Sequence, residues 1–141
     1  MKIFKLVKTI ASKDGKLHFK RFAILETRYF AVYIHRIYES DKDEHLHSHP
    51  WNFCGVILKG SYVERYRNRY FNGSSVETRT LKPFMTLRGD QRYYHKIDRI
   101  VSGPVTTLFI VGRRSPKWYY WVDGKFVEHQ DYRGMKNSSP M

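Results

Sequence analysis

His45-Leu46-His47-Ser48-His49-Pro50-Trp51-Asn52-Phe53-Cys54-Gly55-Val56-Ile57-Leu58-Lys59-Gly60 is the stretch on which the reading of this chain turns. Three histidines occupy alternate positions in it. In extended backbone, residues two apart share a face, with Cα atoms about 7 Å apart. Two imidazoles so placed can converge on one ion. Three in line on a straight strand cannot, so two ligands from this stretch and a third from elsewhere form the expected set. Neutral imidazole binds zinc, iron, copper and nickel. The competing reading is a strand carrying hydrogen-bonded histidines and no metal. That suits a lone histidine better than an alternating triplet in a chain with four others. Pro50 cannot donate a ladder hydrogen bond, so the strand bends or bulges there, a frequent device beside sites.

The period-two pattern continues on both sides of the triplet. Leu17, Phe19, Arg21, Ala23 and Leu25 alternate with more polar neighbours. Phe30, Val32 and Ile34 stand opposite Tyr29, Ala31 and Tyr33. Residues 45–58 and 62–71 read as a hairpin turning at Lys59-Gly60. Further strands are expected over 80–88, 93–97, 105–111, 118–122 and 126–128. Asp14-Gly15, Asn72-Gly73, Gly89-Asp90, Gly103-Pro104 and Asp123-Gly124 separate them, and the last is the clearest hairpin turn. No segment reads as an amphipathic helix. Many short strands at regular spacing imply an all-β sandwich, jelly roll or barrel. One domain over 1–133 is expected, followed by a loose tail over 134–141, rich in Gly, Asn, Ser and Pro.

Composition agrees with that class. The 141 residues include 11 Tyr, 9 Phe and 3 Trp, and aromatic residues favour pleated, half-buried surfaces. A chain of this length can hold a core without disulfides. Cys54 is its only cysteine, so a reducing cytoplasm is the simple expectation. No run approaches the ~18 consecutive apolar residues of a membrane span. The net charge of +13 attracts anions, nucleic acid among them, but speaks to association and not to fold. Arg65, Arg67 and Arg69, with Tyr62, Tyr66 and Tyr70 interleaved, could track phosphates; such stripes are more often solvated faces. A nucleic-acid partner is therefore not favoured, and a small polar or anionic molecule is. A homodimer stays open.

His47 to Gly60 resembles the first motif of the cupins, His-x-His followed by a Glu and, after a further interval, a Gly. Gly60 takes the glycine position, and Phe53 or Cys54 stands where the motif has its carboxylate ligand. The second cupin motif supplies another histidine some tens of residues on, and His95 lies at that distance. The resemblance implies a double-stranded β-helix, a jelly-roll barrel with the metal inside its mouth. It implies His47, His49 and His95 as a three-His face with positions open for water and substrate. Such a face is similar to the iron(II) sites of thiol dioxygenases, where a Cys five residues after the second His, like Cys54, and a Glu four after the turn glycine, like Glu64, have counterparts. A small buried hydrophobe is the plainer reading of Cys54.

If Lys59-Gly60 is the turn, Glu64 lies opposite roughly Gly55. His47, His49, Trp51 and Phe53 then face inward with Tyr62, Glu64, Tyr66 and Asn68, and Arg65, Arg67 and Arg69 face out. A carboxylate among aromatic rings needs a metal, an Arg or a Tyr hydroxyl as partner. Glu64 is thus a candidate fourth ligand, supporting group or general base, with a salt bridge to Arg88 or Arg92 as the alternative. The expected protein is a cupin-type metal enzyme, oxidising a small polar or anionic substrate with iron(II) and O₂. Nickel, manganese or zinc are alternative ions. Glu64 and His95 would be catalytic, and Trp51, Phe53, Tyr62, Tyr66 and Arg88 would line the pocket. The competitors are a metal-independent cupin sugar isomerase or epimerase using a Tyr–His pair, and a non-catalytic nucleic-acid- or anion-binding barrel.

Overall fold

The computed structural model describes residues 2–41, 45–67 and 76–138. Within them the chain forms ten strands and one helix. The strands are β1 (Lys2–Ala11), β2 (Leu17–Glu26), β3 (Ala31–Ile37), β4 (Leu46–His47), β5 (Phe53–Arg67), β6 (Val76–Leu81), β7 (Thr86–Gly89), β8 (Tyr94–Val111), β9 (Tyr119–Val122) and β10 (Lys125–Glu128), and the helix is α1 (His129–Ser138). All pairings are antiparallel.

Two long strands organise the molecule. β5 runs beside β8 for almost its whole length, from Phe53 opposite Val111 to Arg67 opposite Tyr94. Half-way along, both strands pass from one sheet to the other. The Val105–Val111 half of β8 lies between β3 and the start of β5, which in turn pairs with β7. The Tyr94–Ser102 half lies beside the end of β5, which pairs with β6, and His95 pairs with His47 of β4. β1 and β2 extend the first sheet outward from β3, while β9 and β10 extend the second from β4. The result is two curved sheets joined by shared strands, with an interior between them.

The bend in β5 sits at Gly60, so Lys59-Gly60 is not a hairpin turn. Gly60 has φ +83°, and a Cβ there would meet the Ser102 carbonyl oxygen at 2.6 Å. Register shifts between Ile57 and Tyr62 absorb the corner, as bulges do when a strand changes sheet. Glu64 therefore lies opposite Ile97 of β8 and Arg79 of β6, not opposite Gly55. Residues 80–88 divide into β6 and β7 at a turn in which Phe84 has φ +70°, and the two strands expected over 93–97 and 105–111 are one, β8. Asp123 (φ +49°) and Gly124 (φ +80°) form the expected two-residue hairpin, with Val122 paired to Lys125.

The interior is aromatic and β-branched. Ala23, Tyr33, Ile37, Trp51, Phe53, Ile57, Tyr62, Leu81, Leu87, Val105 and Val111 form one buried cluster. Each large apolar side chain in it contributes about 1.5–3 kcal/mol by leaving water. β3 shows the alternation most cleanly: Ala31, Tyr33, His35 and Ile37 are buried and their neighbours are not. A second cluster, Tyr120, Val122 and Tyr132, docks α1 on β9, with the Tyr120 and Tyr132 rings stacked at 3.7 Å. No helix was expected from the pattern; α1 is short and runs through Gly134 into the segment read as a tail.

Arg67 corrects the expected outward stripe. It is buried, with its guanidinium 4.0 Å from the Trp121 ring centroid and 5.5 Å from that of Phe126, because the β9–β10 hairpin covers this end of β5. Arg65 is exposed as expected. Asn68, Arg69, Tyr70 and Asn72-Gly73 lie outside the described residues. Among the described residues, no helix is long and apolar enough to cross a membrane.

Candidate metal centre

β4 is only two residues long, yet it is held on both sides. His47 pairs with His95 of β8 and with Tyr120 of β9, and Leu46 pairs with Trp121. Beyond it the chain leaves the ladder, and the Ser48 amide donates to the Tyr119 carbonyl while the Ser48 hydroxyl accepts from the Tyr119 amide. This irregular turn before β5 lets His49 swing towards its neighbours. The three rings meet: centroids are 5.4 Å apart for His47 and His49, 5.2 Å for His47 and His95, and 4.9 Å for His49 and His95. One ring nitrogen from each lies within 4.8 Å of the others.

A buried carboxylate orients the third imidazole. Glu64 is fully buried, and its Oε1 accepts from His95 Nδ1 at 2.9 Å and from the Tyr93 hydroxyl at 2.8 Å. Its Oε2 accepts from Arg79 Nε at 2.9 Å, and Arg79 Nη2 donates to the Tyr93 oxygen at 3.0 Å. Burial alone would raise the Glu64 pKa; the His95, Arg79 and Tyr93 contacts outweigh it and hold the carboxyl below its ordinary value. An ionised carboxylate only accepts, so His95 carries a proton on Nδ1 and turns its Nε2 into the site. The Nε2 of His49 lies 2.7 Å from it. Burial, then the charges of His95 and His47, push the His49 pKa well below its ordinary value, so that ring is neutral at physiological pH.

These features suit a divalent ion. The donors are imidazoles, a ligand type for iron, zinc, copper and nickel. Metals hold such nitrogens at about 2.0–2.1 Å. A carboxylate behind one histidine fixes its tautomer, the usual arrangement outside metal-ligating histidines.

The cavity before the site measures about 400 Å³. Trp51, Phe53, Tyr62 and Glu64 line it as the sequence suggested, and Trp51 stacks on His49 at 6.4 Å. Two expected lining residues lie elsewhere. Tyr66, hydrogen-bonded to Glu77, and Arg88 line a separate outer cleft of about 680 Å³ with Cys54 and Arg79. Cys54 is exposed, because its position on β5 points away from the interior. His45 contacts the Tyr132 hydroxyl at 3.1 Å and stands apart from the triad. Arg92 pairs with Asp90, so the partner of Glu64 is neither Arg88 nor Arg92 but Arg79. The alternation reading passed over Arg21, His35, Arg79 and Arg114. For Arg21 the signal was present: it shares its parity with Phe19 and Ala23, so an inward cation was legible.

No protein-family model matches the chain, and no curated protein sequence matches it. Solved structures do. The polyketide cyclase RemF from Streptomyces resistomycificus superimposes with a TM-score of 0.56 at 13% identity, over 82% of this chain and 78% of that one. KdgF from a Halomonas species gives 0.52 at 13%, over 81% and 96%. Hydroxypropylphosphonic acid epoxidase from S. wedmorenis gives 0.52 at 10%, over 79% of this chain, which spans only 59% of that one. The fold is the cupin fold. At these identities the likeness concerns the fold of the cupin barrel alone. The three-His cluster is a feature of this chain in its own right.

Proposed function

We propose that this cupin is a metal-dependent enzyme, with His47, His49 and His95 as ligands of one divalent ion and a small polar or anionic molecule as substrate. The observation that carries the reading is the Glu64–His95 contact behind three converging imidazoles. A buried, ionised carboxylate is costly unless paired, and here its pairing with His95 Nδ1 aims His95 Nε2 at the other two rings. Iron(II) is the ion favoured, and when bound it would supply oxidation chemistry with O₂. An iron(II) form of the epoxidase is among the structures sharing this fold, which makes iron the first ion to test.

The chain's own residues do the rest. Trp51, Phe53 and Phe109 give the cavity apolar walls against which a substrate can pack. His49 stays a neutral donor because its burial disfavours protonation. Glu64 keeps the proton of His95 on Nδ1, and Arg79 and Tyr93 keep Glu64 ionised and fixed. Three protein ligands leave coordination positions for substrate. A cytoplasmic location, expected from the lone cysteine, belongs to the same reading.

Elemental analysis of protein purified without a metal-affinity step tests it. About one iron, nickel, manganese or zinc per chain is expected, and the His47→Ala/His49→Ala double variant should lose it while keeping its β-rich circular dichroism. A wild-type chain that stays metal-free after anaerobic incubation with each ion overturns the proposal.

A further inference from the structure

One wall of the same cavity gathers positive charge. Lys8 of β1, Arg21 of β2 and Arg114, in the chain between β8 and β9, all line it. Both guanidiniums lie over the Trp51 ring, Arg21 at 5.4 Å and Arg114 at 5.3 Å from its centroid, and Trp51 stacks on His49. Arg21 also lies over Tyr33, at 4.7 Å. Among the described residues its side chain makes a single hydrogen bond, Nε to His35 Nε2 at 3.0 Å, so its partner is a neutral ring and not an acid.

The nearby carboxylates are engaged elsewhere. Glu26 accepts from the Tyr33 hydroxyl, Glu39 pairs with Lys16, Asp41 accepts from the Ile97 amide, and Glu64 is held by His95 and Arg79. Among the described residues no ion pair reaches Lys8, Arg21 or Arg114. Burial, then the charges of Arg21 and Arg114, lower the Lys8 pKa; burial and Arg114 lower that of Arg21 against the opposing pull of Tyr33 and Glu26. Three cations on an aromatic wall, none of them in an ion pair among the described residues, favour a ligand that brings negative charge. A carboxylate would offset one of them. A phosphoryl group carries about −1.5 to −2 near neutral pH and offers three oxygens that match guanidinium forks.

We propose that Lys8, Arg21 and Arg114 form the anion-binding end of the cavity, and that its ligand is a small phosphate ester or phosphonate whose charged head sits on the two guanidiniums and whose remainder lies along Trp51 towards His47, His49 and His95. The role of that ligand as substrate rests on the metal-enzyme reading; its binding does not.

Calorimetric titration of the full-length chain with inorganic phosphate, methylphosphonate and acetate tests this, on protein as purified and again after chelation, which removes any binding to metal. Saturable binding of phosphate and methylphosphonate is expected, at least tenfold tighter than acetate. Arg21→Gln and Arg114→Gln should each weaken it about tenfold or more, the cost of a charge-assisted contact. Arg114 is exposed, so its variant stays informative if loss of Arg21 impairs folding. Arg88→Gln, in the outer cleft, should leave binding unchanged. Absence of saturable binding, equal affinity for acetate, or affinity insensitive to Arg114→Gln overturns the proposal. Metal content measured on the same samples separates the two readings. Arginine-dependent phosphonate binding in a chain that takes up no metal sinks the enzyme and leaves the anion site standing.

Discussion

Glu64→Gln is the substitution in which the site's design is most exposed to test. The change conserves shape and removes one charge. Three donors converge on the carboxylate, His95 Nδ1 and Tyr93 Oη on Oε1 and Arg79 Nε on Oε2. An amide has one acceptor oxygen, so in either orientation its NH₂ group faces at least one donor. The milder orientation keeps Oε1 and opposes Arg79. A charged hydrogen bond is then lost, worth about 1.5–3 kcal/mol, discounted somewhat because the Arg79 side chain is 35% exposed. The opposed donor adds to the loss, so about 2–3 kcal/mol is expected in all. At about 4 °C per kcal/mol for a chain of this size, the melting temperature falls by about 8–12 °C. Affinity for the metal should drop about 10–100-fold, since the His95 tautomer is no longer fixed. The pH dependence carries a sign of its own. The folded-state pKa of Glu64 is lowered, so its stabilisation is complete above the unfolded value of about 4.5 and disappears as pH falls through the folded value. The gap between wild type and variant should therefore close below about pH 4.5. Thermal denaturation followed by tryptophan fluorescence, with metal competition against a chromogenic chelator, reads both effects. A variant that melts within about 2 °C of wild type at pH 7 and holds metal equally well refutes the role assigned to Glu64.

The remaining expectations are briefer. His35 and His49 are both held neutral by burial, with lowered pKa values. In metal-free protein, stability is full above about pH 6.5 and falls as acid protonates the unfolded chain, by up to about 1.4 kcal/mol per pH unit for each histidine. Denaturation between pH 7.5 and 5.5 should show this slope, and His35→Gln should roughly halve it; a flat profile contradicts the burial argument. Gly60→Ala combines a positive φ with a Cβ placed against the Ser102 carbonyl, so a loss of about 1–3 kcal/mol is expected in urea titration, while Gly124→Ala, with open space around it, should cost less.

Alternation made the pairing of His47 with His49 legible because it is a local property: residues two apart share a face whatever the tertiary fold does. The Asp123-Gly124 turn was legible because it too is local. The corner at Gly60 was not, since a glycine with positive φ serves a hairpin and a sheet-changing bulge alike. Only the partner strand distinguishes them, and β8 begins about 30 residues further on. The misplacement of Glu64 followed from that error, and Arg79 was missed because its approach to Glu64 depends on the β5–β6 register. Arg67 read as an outer residue because strand parity cannot foresee that another hairpin will cover the face. Tyr66 and Arg88 fell outside the cavity for a related reason: parity assigns a side chain to a face, but not to one of two hollows on opposite sides of a wall.

His47 owes its position to a strand of two residues clasped by the β9–β10 hairpin. A ribosome must therefore deliver residues 119–128 before the imidazoles can be brought to their working spacing. On the proposed reading, metal capture becomes a late event of biogenesis, coupled to closure of the barrel, and a chain interrupted before that hairpin should leave translation metal-free.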